Sequence, residues 1–278
     1  MPLAVVASSK PMRCGAGRGQ RLRRSRTKQL DDDPDDDAMV TSQSWTELAC
    51  ESLDEHQPTE VCAVPDAYAV QARFYDLVVE PLNAPLRAAA RRVCPPRPGW
   101  TVLDVGCGTG AALAEYAQVG CRVIGTDPSP AMIAQARARL GDDADLRLIH
   151  GSRLPVDDAS VDLVLVSLVL HSVPRADALG ILREAARVLV ADGRVLVVDF
   201  GTSGLRFPRG WLGRGITVLA ELAAGPRHAA NSLDYLRGGG LPALVEVAGL
   251  ERQVIRPTAG GAITIAVLGP RSDPDGRL

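Results

Sequence analysis

The sequence predicts an α/β fold, a doubly wound, mostly parallel sheet of seven strands with helices on both faces, and three observations predict it. From Thr101 onward, short runs rich in Val, Ile and Leu alternate with longer stretches of helical periodicity. The run 161–167 is apolar almost throughout, as a central strand buried on both sides must be. The first run ends in glycines at 106, 108 and 110, and the second ends at Asp127, the arrangement found where open sheets bind nucleotides at their carboxyl edge.

Residues 66–93 read as helical, and Pro95, Pro96, Pro98 and Gly99 stop that region and turn the chain into the sheet. Strands are expected at 101–105, 121–126, 145–149, 161–167, 194–200, 250–256 and 262–268, with helices at about 110–118, 129–139, 175–190 and 234–248. Leu179, Leu182, Ala186 and Leu189 recur at spacings of three and four, and Asp192-Gly193 is expected to close their helix. The last two strands are joined by Pro-Thr-Ala-Gly-Gly, too short for a crossover, so they should run antiparallel. Residues 201–233 break the alternation. They contain an expected helix at 212–224 and follow a strand's carboxyl end, which predicts a cover over a substrate pocket; an ordinary surface insertion is the alternative.

With 278 residues and 46% hydrophobic content, the chain can bury one full α/β core and has a surplus at its N-terminus. The expected division is a disordered extension over 1–65, a domain over 66–270 and a tail over 271–278. Eight basic residues and no acid lie between Lys10 and Lys28, and six acids follow between Asp31 and Asp37. A transit peptide, a basic arm and a misassigned start ahead of Met39 all fit this segment, and its Arg-rich bias favours the last. From Asp66 onward, 23 arginines face 22 acids, which leaves no footprint for nucleic acid. Six cysteines without a Cys-x-x-Cys pair indicate neither zinc nor disulfides, hence a reducing, cytoplasmic setting. No apolar run approaches the roughly twenty residues that span a bilayer, so stable membrane insertion is not expected. Nothing in the sequence speaks to oligomeric state.

The glycine loop Gly106-Cys-Gly-Thr-Gly110 and Asp127 together point to a nucleotide-containing cofactor: glycines permit a tight turn and close backbone approach, and the acid can accept from ribose hydroxyls. Two features choose among such cofactors. The spacing is Gly-x-Gly-x-Gly, where dinucleotide folds use Gly-x-Gly-x-x-Gly, and Asp104 stands two residues before Gly106, where it would repel a pyrophosphate. S-adenosyl-L-methionine carries an ammonium and a sulfonium and no phosphate, so the same carboxylate favours it. Asp127 has a second reading as a helix cap ahead of Pro128 and Ser129.

At these residues the chain resembles the class I S-adenosylmethionine-dependent methyltransferases, in particular the branch with ubiquinone and menaquinone C-methyltransferases and phospholipid N-methyltransferases. The resemblance runs from about Tyr68 to Leu268. It rests on Tyr75-Asp76, Val102 to Gly110, Gly125 to Met132, Leu154-Pro155, Val161 to Val164, Leu182 to Leu189, and Asp192-Gly-Arg194. It implies a Rossmann-like seven-stranded sheet whose last strand is inserted antiparallel. It also implies that Gly106, Gly108 and Gly110 shape the methionine side of the site, that Asp104 faces the ammonium, and that Asp127, with Pro128 beside it, holds the ribose. Ser152 and Arg153 occupy the place where many relatives carry an acid for the adenine amino group. Tyr75 matches a residue that relatives fold over the cofactor, and an anchor for the N-terminal helix is its other reading. Ser167, at a strand's carboxyl end, either binds the cofactor or simply terminates the strand.

Methyl transfer from a sulfonium needs mainly positioning, water exclusion and, for some acceptors, removal of a proton. His171, directly after the central strand, is the candidate general base; a histidine that only packs or bonds to the next loop is the alternative. No Asn-Pro-Pro-aromatic sequence or Pro-Cys pair follows that strand, which argues against DNA-base methylation. The expectation is a methyltransferase acting on a small molecule, with quinone- and lipid-related acceptors among the candidates. A nicotinamide-dependent oxidoreductase and a non-catalytic S-adenosylmethionine-binding protein are the rivals.

Overall fold

The computed structural model describes residues 80–142, 144–202 and 204–271; the extension 1–65, residues 66–79 with Tyr75 among them, and residues 272–278 lie outside them. The chain enters on helix α1 (Glu80–Val93), which carries Pro85, and its last turn gives way to the proline-rich stretch. Strand β1 (Thr101–Val105) then leads through the glycine loop to α2 (Ala111–Ala117). Strand β2 (Arg122–Asp127) precedes α3 (Pro130–Leu140), β3 (Asp145–Leu148) and β4 (Val161–Ser167) follow, and α4 (Arg175–Val188) passes into β5 (Leu189–Phe200). Three helices come next, α5 (Arg209–Ala224), α6 (Pro226–Arg237) and α7 (Gly240–Ala248), then β6 (Leu250–Thr258) and β7 (Ile263–Pro270).

The strand order is β3-β2-β1-β4-β5-β7-β6. β1 to β5 pair in parallel, while β7 lies antiparallel between β5 and β6. The turn Ala259–Gly261, with Ala262 after it, makes that reversal possible within four residues. β1 and β4 lie side by side although four elements separate them in sequence, so the chain changes its direction of winding between them. A crevice opens at the carboxyl end of such a pair, because the loops leave it on opposite faces.

Val102, Leu103, Leu163, Val164, Val195 and Val197 are fully enclosed at the centre of the sheet, and a smaller apolar cluster of Leu113, Ile133, Ala136 and Leu146 fills the space beneath α2 and α3. Two boundaries differ from the sequence reading. The expected helix 175–190 ends at Val188, and Asp192-Gly193 lies inside β5. Val161 faces Leu189 but Leu163 faces Arg194, so the extra residues between them bulge out of the ladder, a conformation that helical periodicity cannot reveal. The expected helix 234–248 is two helices, because Gly239 and Gly240 adopt the left-handed conformation between them.

Candidate active site

The carboxyl end of β1 delivers the chain into a cleft of about 590 Å³, including its open mouth. Asp104, Gly106, Gly108, Thr109, Ser167 and Val198 contribute to its walls from the sheet edge, and α1 closes one side with Glu80, Asn83 and Arg87. The loop is laced to β2: the amides of Gly106 and Cys107 donate to the Thr126 carbonyl at 2.8 and 3.0 Å. Gly110, left-handed at the start of α2, would place a Cβ 3.1 Å from Ala136, so only glycine allows α2 and α3 to pack this closely. A Cβ on Gly108 would meet no protein atom within 4 Å, which leaves the backbone there open to a ligand. Arg139 of α3 fixes the intervening residue by donating at 2.7 Å to both the carbonyl and the hydroxyl oxygen of Thr109.

Asp104 is 2% exposed, and its Oδ1 accepts no hydrogen bond although it borders the cleft. Burial, and then the like charge of Asp127, push its carboxyl up to about 7, against the pull of Arg87. A cationic donor in the cleft would satisfy that oxygen and restore the charged form. Arg87 cannot supply the bond, since its guanidinium is engaged by Glu80, with one contact at 2.9 Å, and by Glu115 at 3.2 Å.

Asp127 is also buried. Its Oδ2 accepts from the Gly108 amide and its Oδ1 from the Ser129 amide, both at 2.9 Å, so the carboxylate joins the glycine loop to the start of α3. The cap of α3 is Ser129, whose hydroxyl accepts from the Met132 amide. Pro128 is exposed between them. Ser152 and Arg153 are not among the residues lining the cleft: Ser152 packs against Gly180 of α4, and Arg153 is exposed. Of the sequence-derived candidates, then, Asp104, Gly106, Gly108 and Ser167 meet around one space, with Asp127 and Gly110 supporting its floor.

His171 lies apart from the cleft lining, 4% exposed and stacked on Phe200 with ring centres 3.8 Å apart. Nδ1 lies 2.6 Å from Asp199 Oδ1, and Nε2 lies 3.3 Å from Glu221 Oε1. Burial works against the charged ring, yet Asp199 and then Glu221 outweigh it and push the imidazole up to about 9. With its pKa raised to about 9 between two carboxylates, the ring is charged at neutral pH, and in that form both nitrogens donate. Asp199 is itself fixed by the amides of Leu170 and Phe200, and Glu221 accepts from the Ser232 hydroxyl at 2.6 Å. The sequence reading missed Asp199 and Glu221. Both left a signal: Asp199 is an acid in the otherwise apolar run 195–200, and Glu221 is the only acid between 201 and 230.

Comparison with known proteins places this geometry. A family model described as a methyltransferase domain matches residues 103–197, the stretch from β1 to β5. The chain is 31% identical to a demethylmenaquinone methyltransferase of Beutenbergia cavernae over 209 residues, 70% of this chain and 85% of the relative. It is 28% identical to the ubiquinone/menaquinone biosynthesis C-methyltransferase UbiE of Rubrivivax gelatinosus, over 72% of this chain and 83% of the relative. Among solved structures, a chain from the complex of the Haloferax volcanii Trm112 methyltransferase activator with a methyltransferase superposes with a TM-score of 0.54 at 22% identity, covering 74% of this chain and 97% of that one. An S-adenosylmethionine-dependent methyltransferase from Aquifex aeolicus gives 0.51 at 18% identity, over 72% and 97%. These two structures share the fold. The nicotinamide and non-catalytic readings give way to the family model and the sequence relatives; the span of the family model, 103–197, contains Asp104, Gly106, Gly108, Gly110 and Asp127. This chain therefore belongs to the class I S-adenosylmethionine-dependent methyltransferases and is an enzyme that takes S-adenosyl-L-methionine as methyl donor.

Proposed function

We propose that the enzyme methylates a small, lipophilic acceptor of the hydroquinone type. The observation that carries this reading is the extent of its similarity to a demethylmenaquinone methyltransferase, 85% of whose length is matched. S-adenosylmethionine supplies a methyl group on a positively charged sulfur that leaves as a neutral thioether.

In this reading the chain's own residues bind and orient. Asp104 holds the donor's ammonium on Oδ1, the oxygen that accepts no bond from the protein. Gly108 admits the donor against the backbone, the Asp127 carboxylate accepts from the ribose hydroxyls, and Ser167 lies beside the methionine side. Ser152 and Arg153, expected at the adenine, reach it only if the loop after β3 turns toward the cleft. His171 serves as a fixed cation pinning α5 to the sheet edge rather than as the base, since both its nitrogens are engaged. A hydroquinone ring is electron-rich enough to attack the methyl carbon once aligned: the new carbon–carbon bond forms as the carbon–sulfur bond breaks to the neutral thioether, and the displaced ring proton passes to water as aromaticity returns, so proximity carries most of the rate.

Single-turnover assays with methyl-labelled S-adenosylmethionine test the acceptor. Label is expected in a short-chain demethylnaphthoquinol and not in phosphatidylethanolamine or DNA. Transfer to either of the latter, with none to the quinol, contradicts the assignment.

A further inference from the structure

Helix α5 is built inside out. Its small residues face the protein: a Cβ on Gly210 would lie 2.2 Å from the Gly260 carbonyl oxygen, and one on Gly213 would lie 3.1 Å from Ala262. Its large apolar residues face away. Trp211 is 65% exposed and Leu219 69%, Leu212, Ile216 and Leu222 are exposed beside them, and Phe207 just before the helix is 85% exposed. A soluble helix normally shows the opposite polarity, and an exposed apolar face of this extent marks a surface that meets something apolar.

The charges around the face say what that is. Arg206, Arg209 and Arg227 are exposed at its margins, and the only acid from 201 to 230, Glu221, is half-buried and bonded to His171 and Ser232. An apolar helix with exposed aromatic rings, flanked in sequence by exposed arginines and by no exposed acid from 201 to 230, matches the boundary of an anionic lipid bilayer, where aromatic rings settle at headgroup level and arginines meet lipid phosphates. Among the described residues no helix is long and apolar enough to cross a membrane, so the contact is peripheral.

We infer that α5 and the preceding Phe207 dock this enzyme on the surface of an anionic phospholipid membrane. The helix follows β5, whose Val198 lines the cleft, and Glu221 bonds it to the loop after β4, so docking presents the ligand-bearing edge of the sheet to the lipid. The inference rests in part on the lipophilic acceptor proposed above, which would reside in that lipid.

Co-sedimentation of the full chain with phosphatidylcholine vesicles, with and without phosphatidylglycerol, is the test. The protein should sediment with the anionic vesicles and be released by salt. Combining Trp211→Asp with Leu219→Asp should abolish sedimentation while leaving S-adenosylhomocysteine affinity unchanged, and Arg206→Ala or Arg209→Ala should each weaken it by about fivefold. Equal sedimentation with neutral and anionic vesicles, or an unaffected double variant, would overturn the inference. So would a dimer in solution that the double variant dissociates, because the face would then be covered by a second copy. Methylation of a water-soluble quinol separates the two readings: turnover without vesicle binding defeats docking alone, and vesicle binding without turnover on any quinol defeats the acceptor alone.

Discussion

A carboxylate sealed beneath a cleft with one oxygen unpaired is costly to the protein on its own, and Asp104 is that residue. Its carboxyl, raised to about 7 by burial and by Asp127, holds a proton in the folded protein that the unfolded chain releases above about pH 4. Without a cationic ligand, the stability this group contributes is therefore present at low pH and lost as pH rises through 7. A ligand ammonium reverses the preference by pairing with the ionised form. Asp104→Asn should weaken S-adenosylhomocysteine binding by about 1.5–3 kcal/mol, the range for a hydrogen bond to a charged group, and should raise the melting temperature of the ligand-free protein at pH 8. Wild-type affinity should climb between pH 6 and 8 while the variant's stays flat in calorimetric titrations. Parallel pH profiles would remove Asp104 from the binding site.

Among the elements, α5 is the one whose role sequence periodicity describes least. Its helical character and its position after β5 were legible in residues 201–233, but its seat was not, because glycines that pack and glycines that merely bend read alike. Gly210 and Gly213 face a turn that comes some fifty residues later, a contact without local periodicity. The same limit applies to His171: its place after β4 was legible, whereas its partners Asp199 and Glu221 lie 28 and 50 residues away. The pin they form makes stability depend on pH. Because the imidazole is raised to about 9, its contribution is complete below about pH 6.5 and lost as pH rises through 9. Asp199, Tyr235 and Phe200 surround the ring from β5 and α6, and Glu221 from α5, with His228 acting on Glu221 in turn. Glu221→Gln removes one of the two charges that raise the ring, so its loss of melting temperature should begin at lower pH than in the wild type. Superimposable melting profiles for the two proteins from pH 6 to 10 would show that the pair contributes nothing.

At the scale of the whole molecule, the alternation of apolar runs and amphipathic helices was enough to read seven strands and an antiparallel closing pair, since a sheet buried on both faces demands such runs. The glycine loop and Asp127 were legible for a similar reason: one strand-to-helix turn places them within twenty-two residues of each other. The walls contributed by α1, with Arg87 held by Glu80 and Glu115, were not, because their proximity to Asp104 is created by the closing of the sheet. Fold and cleft together lead to one central claim, that the donor binds with its ammonium on Asp104 and its backbone-facing side against Gly108. A crystal structure with S-adenosylhomocysteine bound tests it most directly. The account predicts the ligand's amino nitrogen at an ordinary hydrogen-bonding distance of about 2.7–3.2 Å from the Asp104 carboxylate. A ligand bound elsewhere, or bound in the cleft with Asp104 Oδ1 still unpaired, would contradict it.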